Sequence, residues 1–197
     1  MKQFNVVLFD GFETLDAFGP VEIIGYLQEH YALGFYARQG GITTSDQQVK
    51  VNTLPFSAMD PSGILLIPGG MAVKRLVDDA ALVAELKALA EEAPLVLTVC
   101  NGSALLAKTG LLDGKKATSY KADFEWVRAS RPAVDWVKKA RWVKDGKFYT
   151  SSGVSAGIDM ALGFVSDVHG LDAALAIAKD AEYIWNRDKD NDPFAAD

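Results

Sequence analysis

The chain has 197 residues, a length that fits one domain with a substantial core, and its 49% hydrophobic and 23% charged residues are ordinary for a globular protein. Its net charge of −6 argues against a nucleic-acid partner, because binding to phosphates needs a basic surface and the densest basic group, Lys138, Lys139 and Arg141, is flanked by acids. No apolar run approaches the roughly 18 residues that span a membrane, and no signal-peptide pattern is seen, so we expect a cytoplasmic protein.

The first half of the chain alternates short apolar runs with segments of helical periodicity. In chain order this pattern predicts a buried strand at 4–9, a helix at 16–28, a strand at 31–38, a polar hairpin at 42–54, a buried strand at 63–68 and a helix at 72–92. Pro20 falls in the first turn of the first helix, where proline is tolerated. Two glycines, Gly69 and Gly70, end the strand at 63–68.

The second half continues the alternation. It predicts a buried strand at 94–99, a helix through Lys108 ended by Gly110, a helix at 122–130, a hairpin at 141–150 turning at Asp145-Gly146, and helices at 156–167 and 171–184. The polar segment 186–197 is predicted to be a tail on the surface, which leaves 1–185 as a single domain. Strands that alternate with helices predict an α/β fold, with a mostly parallel sheet covered by helices on both faces.

The only cysteine, Cys100, directly follows the strand at 94–99. In open α/β sheets ligands bind beyond the carboxyl ends of the strands, and the start of a helix stabilises a nearby thiolate. Gly102 and Ser103 are small enough for a sharp turn, so the pattern is that of a nucleophile elbow with a partly exposed thiolate. A small buried hydrophobic residue is an equally good interpretation of position alone.

Two further segments bear on that choice. The backbone N–H groups of Gly70 and Asn101 could together hold a developing negative charge, although a double glycine also suits an ordinary turn. Asp16 lies in a mainly apolar segment after the first strand, and by itself it would be interpreted as the N-cap of a helix. The three segments together favour a reactive site near the sulfur, and the predicted sulfur neighbour is the Asp16 carboxyl.

Four motifs, LFDGFETLDAFGP, LLIPGG, VCNGSALLAKTGLLDGKKAT and SSGVSAGIDMAL, resemble successive signatures of the ThiJ/PfpI superfamily, and within it the isonitrile hydratase branch. The resemblance covers nearly the whole chain. It implies a flavodoxin-like three-layer sandwich with a small β-hairpin elaboration, a homodimer, and a cysteine held in a strained conformation on its elbow.

The same resemblance implies roles for individual residues. Cys100 matches the nucleophile, Asp16 the acid that hydrogen-bonds its sulfur, and Gly70 and Asn101 the backbone donors of the oxyanion hole. The branch usually has Thr after the cysteine, and this chain has Asn. This departure leaves the identity of the substrate undetermined. We expect the Asn101 side chain to contact the substrate as a hydrogen-bond donor and acceptor.

The histidine count favours one branch of this superfamily over others. His30 and His169 are the only histidines, and neither is expected near Cys100, so a Cys–His triad is not predicted. A Cys–Asp pair suits hydration of an isocyanide to an N-substituted formamide, a lyase reaction on a small molecule that needs no metal or organic cofactor. One cysteine and two distant histidines likewise form no zinc-type cluster. There are two alternative functions. One is a redox or stress sensor with an oxidisable Cys100, and the other is a glyoxalase-type or amidase-type activity that lacks the usual histidine.

Overall fold

An eight-stranded sheet forms the centre of the computed structural model, which describes residues 1–195. Its strands are β1 (Lys2–Val7), β2 (Tyr31–Ala37), β3 (Gln39–Thr44), β4 (Lys50–Pro55), β5 (Ile64–Ile67), β6 (Val96–Thr98), β9 (Trp142–Asp145) and β10 (Phe148–Ser151). Two shorter strands, β7 (Lys116–Ala117) and β8 (Asp135–Trp136), pair with each other in parallel outside this sheet, and the sequence pattern did not predict them.

The α-helices are α1 (Thr14–Gly25), α2 (Val73–Leu76), α3 (Ala80–Glu92), α4 (Gly102–Lys108), α5 (Phe124–Ser130), α6 (Ala156–His169) and α7 (Leu171–Asp180). A single 3₁₀ turn, Phe56–Ala58, follows β4. In the described part of the chain, no helix is both long and apolar enough to cross a membrane.

The strand order is β3-β4-β2-β1-β5-β6-β10-β9. The five strands β2-β1-β5-β6-β10 are all parallel and follow the 2-1-3-4-5 order of the flavodoxin-like fold. The predicted hairpins lie at the two ends of the sheet, where β3 pairs with β4 and β9 with β10 in antiparallel fashion. The predicted α/β, flavodoxin-like sandwich is therefore confirmed.

Both faces of the sheet are buried because its parallel strands are apolar on both sides. In β5, Ile64 and Leu66 pack into one core with residues of α1 and α6, such as Ile23 and Phe164. The alternate residues Leu65 and Ile67 pack into the second core with residues of α3 and α4. This two-sided burial explains why β5 and β6 are continuous hydrophobic runs rather than alternating ones.

The single helix predicted at 72–92 is wrong, because the chain forms two helices there. Asp79 separates α2 from α3, and its side chain accepts hydrogen bonds from the backbone N–H groups of Ala81 and Leu82. An aspartate that caps two backbone N–H groups in this way begins a new helix, although the apolar periodicity continues across the break.

The segment after α7 is only partly the surface tail that was predicted. Its residues from Arg187 to Asn191 are exposed, but Asp192 is 3% exposed and its backbone N–H donates to the Lys139 carbonyl at 2.7 Å. The Asp192 carboxylate is buried because it meets the buried Arg141 guanidinium, with 3.5 Å between the paired atoms. Residues 196 and 197 of the predicted tail lie outside the described residues.

Candidate active site

The segments that follow four of the parallel strands meet at the carboxyl edge of the sheet. Asp16 follows β1, Gly70 follows β5, Cys100 follows β6 and Val154 follows β10. The β1 and β5 loops flank the point at which the strand order reverses, where α/β sheets leave a crevice. The fold thus brings together Cys100, Asp16, Gly70 and Asn101, the four residues that the sequence singled out.

Cys100 stands on a sharp turn between β6 and α4, with a φ of 60° that non-glycine residues seldom adopt. Its carbonyl accepts hydrogen bonds from the hydroxyls of Ser103 and Ser119, both at 3.0 Å, and its backbone N–H donates to the Ser152 carbonyl at 3.1 Å. A Cβ at Gly102 would lie 2.6 Å from the Pro68 carbonyl oxygen, so only glycine fits behind the cysteine. These contacts hold the strained elbow in place.

The Cys100 side chain is 5% exposed, so the prediction of a partly exposed thiolate is wrong. Burial and the charge of the Asp16 carboxylate raise the pKa of the thiol well above its usual value. Backbone N–H groups of Asn101 and Val154 act in the opposite direction. The stabilisation expected from a helix start is therefore present, but it is smaller than the cost of burying a thiolate.

Asp16 lies inside the first turn of α1 rather than at its cap, which is Glu13, so the N-cap interpretation is wrong. Its side chain is completely buried, and Oδ2 accepts a hydrogen bond from the Gly69 backbone N–H at 2.9 Å. The carboxyl lies close enough to the Cys100 thiol and the Val154 N–H for both to lower its pKa, while its Oδ1 is buried without a hydrogen-bond partner. Burial, with the charge of Glu13, raises the pKa of Asp16 to about 7.

The thiol and the carboxyl therefore act as a pair that resists carrying two negative charges. Within residues 1–195 no lysine or arginine forms an ion pair with Asp16 that would offset a second charge. Once the pair has lost its first proton, near neutral pH, the remaining proton is shared between the two groups, and the raised pKa of the thiol favours the sulfur. Moving that proton from Cys100 to Asp16 creates a thiolate and a carboxylic acid in contact with each other.

The predicted oxyanion donors are arranged differently from expectation. The Gly70 backbone N–H donates to Oδ1 of Asn101 at 2.9 Å, so that donor is occupied by a side chain. Nδ2 of Asn101 donates to the Gly70 carbonyl and to Oδ2 of Asp123, both at 3.3 Å. The Asn101 backbone N–H is directed at the Cys100 sulfur. The Asn101 carboxamide thus occupies the position where a substrate oxygen or nitrogen would meet Gly70.

Sequence reasoning missed two residues of this site. Val154 has a φ of 45°, which is a rare conformation for a β-branched residue, and its N–H reaches both Asp16 and Cys100. The GVSAG run around it was visible in the sequence, but its φ was not. Ser119 was also missed, because no local pattern indicates that its hydroxyl reaches the carbonyl of a residue 19 positions earlier.

Both histidines lie at the opposite edge of the sheet, which agrees with the prediction that neither is near Cys100. His169 ends α6, and its Nε2 hydrogen-bonds the hydroxyl of Tyr31, the first residue of β2, at 2.8 Å. The His30 ring lies 4.7 Å from the His169 ring. Because Cys100 follows the carboxyl end of β6 and Tyr31 begins β2 at the amino end, no histidine is available to the thiol.

The flavodoxin-like sheet and the cysteine on its strained elbow define an α/β protein with a nucleophile-elbow cysteine. The profile of the DJ-1/PfpI family matches residues 2–167, and the chain belongs to this family.

Three comparisons illustrate the range of relatives. The chain is 29% identical to isonitrile hydratase of Pseudomonas putida over 182 residues, covering 92% of this chain and 78% of that protein. It is 30% identical to a deglycase of Thermococcus kodakarensis over 145 residues, covering 72% of this chain and 84% of that protein. A crystal structure of a ThiJ/PfpI family protein from Pseudomonas syringae superposes with a TM-score of 0.84 at 27% identity, covering 98% of this chain and 76% of that one.

Proposed function

We propose that the chain is a cysteine-nucleophile enzyme that hydrates an isocyanide to an N-substituted formamide, with Asp16 as the general acid and base. The observation that carries the proposal is that the Cys100 thiol and the Asp16 carboxyl are buried side by side, each shifting the pKa of the other, and that the pKa of the carboxyl is raised to about 7. A buried carboxyl with such a pKa can hold a proton at neutral pH and also release it. The likeness to isonitrile hydratase supports the same reaction.

In the first step the Cys100 thiolate attacks the terminal carbon of the isocyanide. The new S–C bond forms as the Asp16 proton is delivered to that carbon, which gives a thioimidate and leaves Asp16 ionised. The shared proton of the resting pair is therefore the one consumed. The buried site carries one negative charge before and after this step, because the charge leaves the sulfur as the carboxylate charge appears.

In the second step water adds across the C=N bond of the thioimidate. Its oxygen bonds to carbon, and the Asp16 carboxylate relays a proton from the water to the nitrogen. The hydroxyl proton of the resulting adduct then moves to Asp16 as the C–S bond breaks, which releases the formamide and restores the thiolate beside the acid. One water is consumed, and no electrons are exchanged with another reagent.

The proposal is tested with purified protein and a panel of alkyl and aryl isocyanides, with the N-substituted formamide measured as product. We expect many turnovers per protein, none with Cys100→Ala, and unchanged turnover with His169→Ala, the matched variant at the other edge of the sheet. Formamide production that survives Cys100→Ala, or its absence across the panel, would contradict the proposal.

A redox or stress sensor is the second candidate, because a protonated Asp16 could donate a hydrogen bond to an oxidised Cys100. The 5% exposure of the cysteine works against rapid oxidation. Peroxide titration distinguishes the two functions, since a sensor is modified once whereas an enzyme consumes many equivalents of substrate. Methylglyoxal in the same panel tests a deglycase-type activity without histidine.

We also propose that the protein is a cytoplasmic homodimer with a single domain over 1–185. The family resemblance supports the dimer, and exposed apolar side chains near the site, Leu15 at 39% and Met71 at 75% exposure, suit a covered surface. Light scattering coupled to gel filtration should give twice the 21.3 kDa chain mass. A monomer at micromolar concentration would refute the dimer.

A further inference from the structure

A cluster of four buried charges lies beneath the candidate active site, and the proposed reaction does not use it. The side chains of Lys121, Arg141, Asp159 and Asp192 are 7%, 6%, 1% and 0% exposed. Arg141 Nε pairs with Asp159 Oδ2 at 2.8 Å. Asp192 lies between the two cations, with its carboxylate oxygens 3.8 Å from Lys121 Nζ and 3.5 Å from an Arg141 nitrogen. The cluster is electrically neutral.

Stability alone does not account for such a cluster, since burying four charges costs desolvation that their attraction often fails to recover. An apolar contact would attach the segment after α7 as well or better. A charge cluster differs from an apolar contact in directing hydrogen bonds to particular atoms. Hydrogen bonds connect this cluster, through Ser119, to the backbone of Cys100.

Lys121 is the member of the cluster that faces the site. Its ammonium donates to the Ala140 carbonyl at 2.7 Å, to Thr118 Oγ1 at 2.8 Å and to the Ser119 carbonyl at 3.3 Å. These three oxygens fix the loop that carries Ser119. Asp192 supplies the countercharge that lets a buried ammonium make these bonds.

Ser119 in turn donates its hydroxyl to the Cys100 carbonyl. That carbonyl belongs to the same planar peptide group as the Asn101 N–H, so holding the oxygen at one end fixes the direction of the N–H at the other. The Asn101 N–H lies close enough to the Cys100 sulfur to lower the pKa of the thiol. Ser103 donates to the same carbonyl, so a displacement of Ser119 removes one of its two hydroxyl donors and lets the peptide group turn its N–H away from the thiolate.

We propose that Asp192 and Lys121 are positioning residues for the nucleophile, acting through Ser119 on the peptide group between Cys100 and Asn101. The inference rests on the proposed role of Cys100, but its test is the reactivity of the thiol rather than turnover. If isocyanides are not substrates, the reaction assignment fails and the positioning role stands or falls separately.

The experiment measures the rate of Cys100 alkylation by iodoacetamide from about pH 6 to pH 10. For Asp192→Asn we expect alkylation roughly tenfold slower at neutral pH, with a slower rate than wild type at each higher pH of this range. Asp190→Asn is the matched control, because Asp190 is in the same segment, pairs only with Lys189 and is 76% exposed. It should leave the alkylation profile unchanged.

Ser119→Ala separates positioning from folding, because it removes a neutral hydroxyl and no charge. It should reproduce the slower alkylation, and adding Asp192→Asn to it should slow the reaction little further. If Asp192→Asn does not fold, Ser119→Ala and Lys121→Met decide the matter. A wild-type profile in folded Asp192→Asn or in Ser119→Ala would overturn the proposal, because a merely structural role would lower the melting temperature without changing the thiol.

Discussion

Asp16 and Asp159 occupy equivalent places in two helices and have different surroundings. Each is fully buried in the first turn of its helix, α1 and α6 respectively. Asp159 has Arg141 as a partner and also accepts hydrogen bonds from Tyr183 and the Asn186 N–H. Asp16 has backbone N–H groups and a thiol as neighbours, and no cation among the described residues.

The comparison shows how the neighbours of a buried acid set its pKa. Burial raises the pKa of both carboxyls, and for Asp159 the Arg141 charge and hydrogen bond oppose that rise. For Asp16 only neutral donors oppose it, so its pKa reaches about 7. A carboxylate with a cation holds structure together, whereas one without a cation exchanges its proton near neutral pH.

Asp16→Asn is the largest expected effect on function. The amide keeps the shape and can still accept from Gly69, but it can neither deliver nor take up a proton, so we expect turnover to fall by about 10²–10⁴-fold. Formamide production and far-UV circular dichroism measured on the same sample separate lost chemistry from lost fold. Activity retained in a folded Asp16→Asn protein would remove Asp16 from the mechanism.

Asp159→Asn tests the other side of the comparison. Removing Asp159 leaves the buried cluster of Arg141, Lys121 and Asp192 with one uncompensated positive charge, so we expect the free energy of unfolding to drop by about 3–5 kcal/mol. Urea denaturation measures it, with Asp167→Asn as the control, because Asp167 pairs with Lys144 at an exposed position. A loss no larger than that of the control would mean that the two buried acids do not differ in this way.

The pH dependence of stability should report Asp16 directly. Between the ordinary aspartate pKa of 3.8 and about 7, the unfolded chain has lost a proton that the folded chain keeps. Stability therefore falls as pH rises through this window, by roughly 4 kcal/mol in total. The difference between wild type and Asp16→Asn in urea denaturation at pH 4 and pH 8 isolates this contribution. Equal pH dependence in both proteins would contradict the raised pKa.

Asn101→Thr has the smallest expected effect on turnover. It tests whether the Asn101 side chain competes with substrate for the Gly70 N–H. Losing the Asn101 carboxamide frees the Gly70 N–H to donate to substrate. Because one hydrogen bond is gained, we expect the rate of turnover to change by about 2–10-fold. We expect kcat/KM to shift between isocyanides, amides and methylglyoxal, with Cys100 alkylation unchanged. An unchanged profile over all substrates would show that the carboxamide does not compete with substrate.

Local sequence was sufficient for most of the order of elements, although not for β7 and β8, and for the position of Cys100 at the end of a strand. The apolar run at 94–99 ends at Cys100, and Gly102 and Ser103 permit a turn, so the elbow was predictable from neighbouring residues. The α/β class followed in the same way from alternating periodicities. The sequence pattern failed at 72–92, where the apolar periodicity continues across Asp79 but the Asp79 cap begins a new helix.

Tertiary structure decided the chemistry of the site, because pKa values and hydrogen bonds depend on groups that are distant along the chain. Cys100 sits at a helix start, which favours a thiolate, and yet its burial against Asp16, 84 positions earlier, raises its pKa. The Asn101 side chain occupies the N–H of Gly70, 31 positions away, which no local pattern indicates. The sequence by itself indicated most of the residues that meet at the sheet edge, although not Val154 or Ser119, and only folding determined how buried and how charged these residues are there.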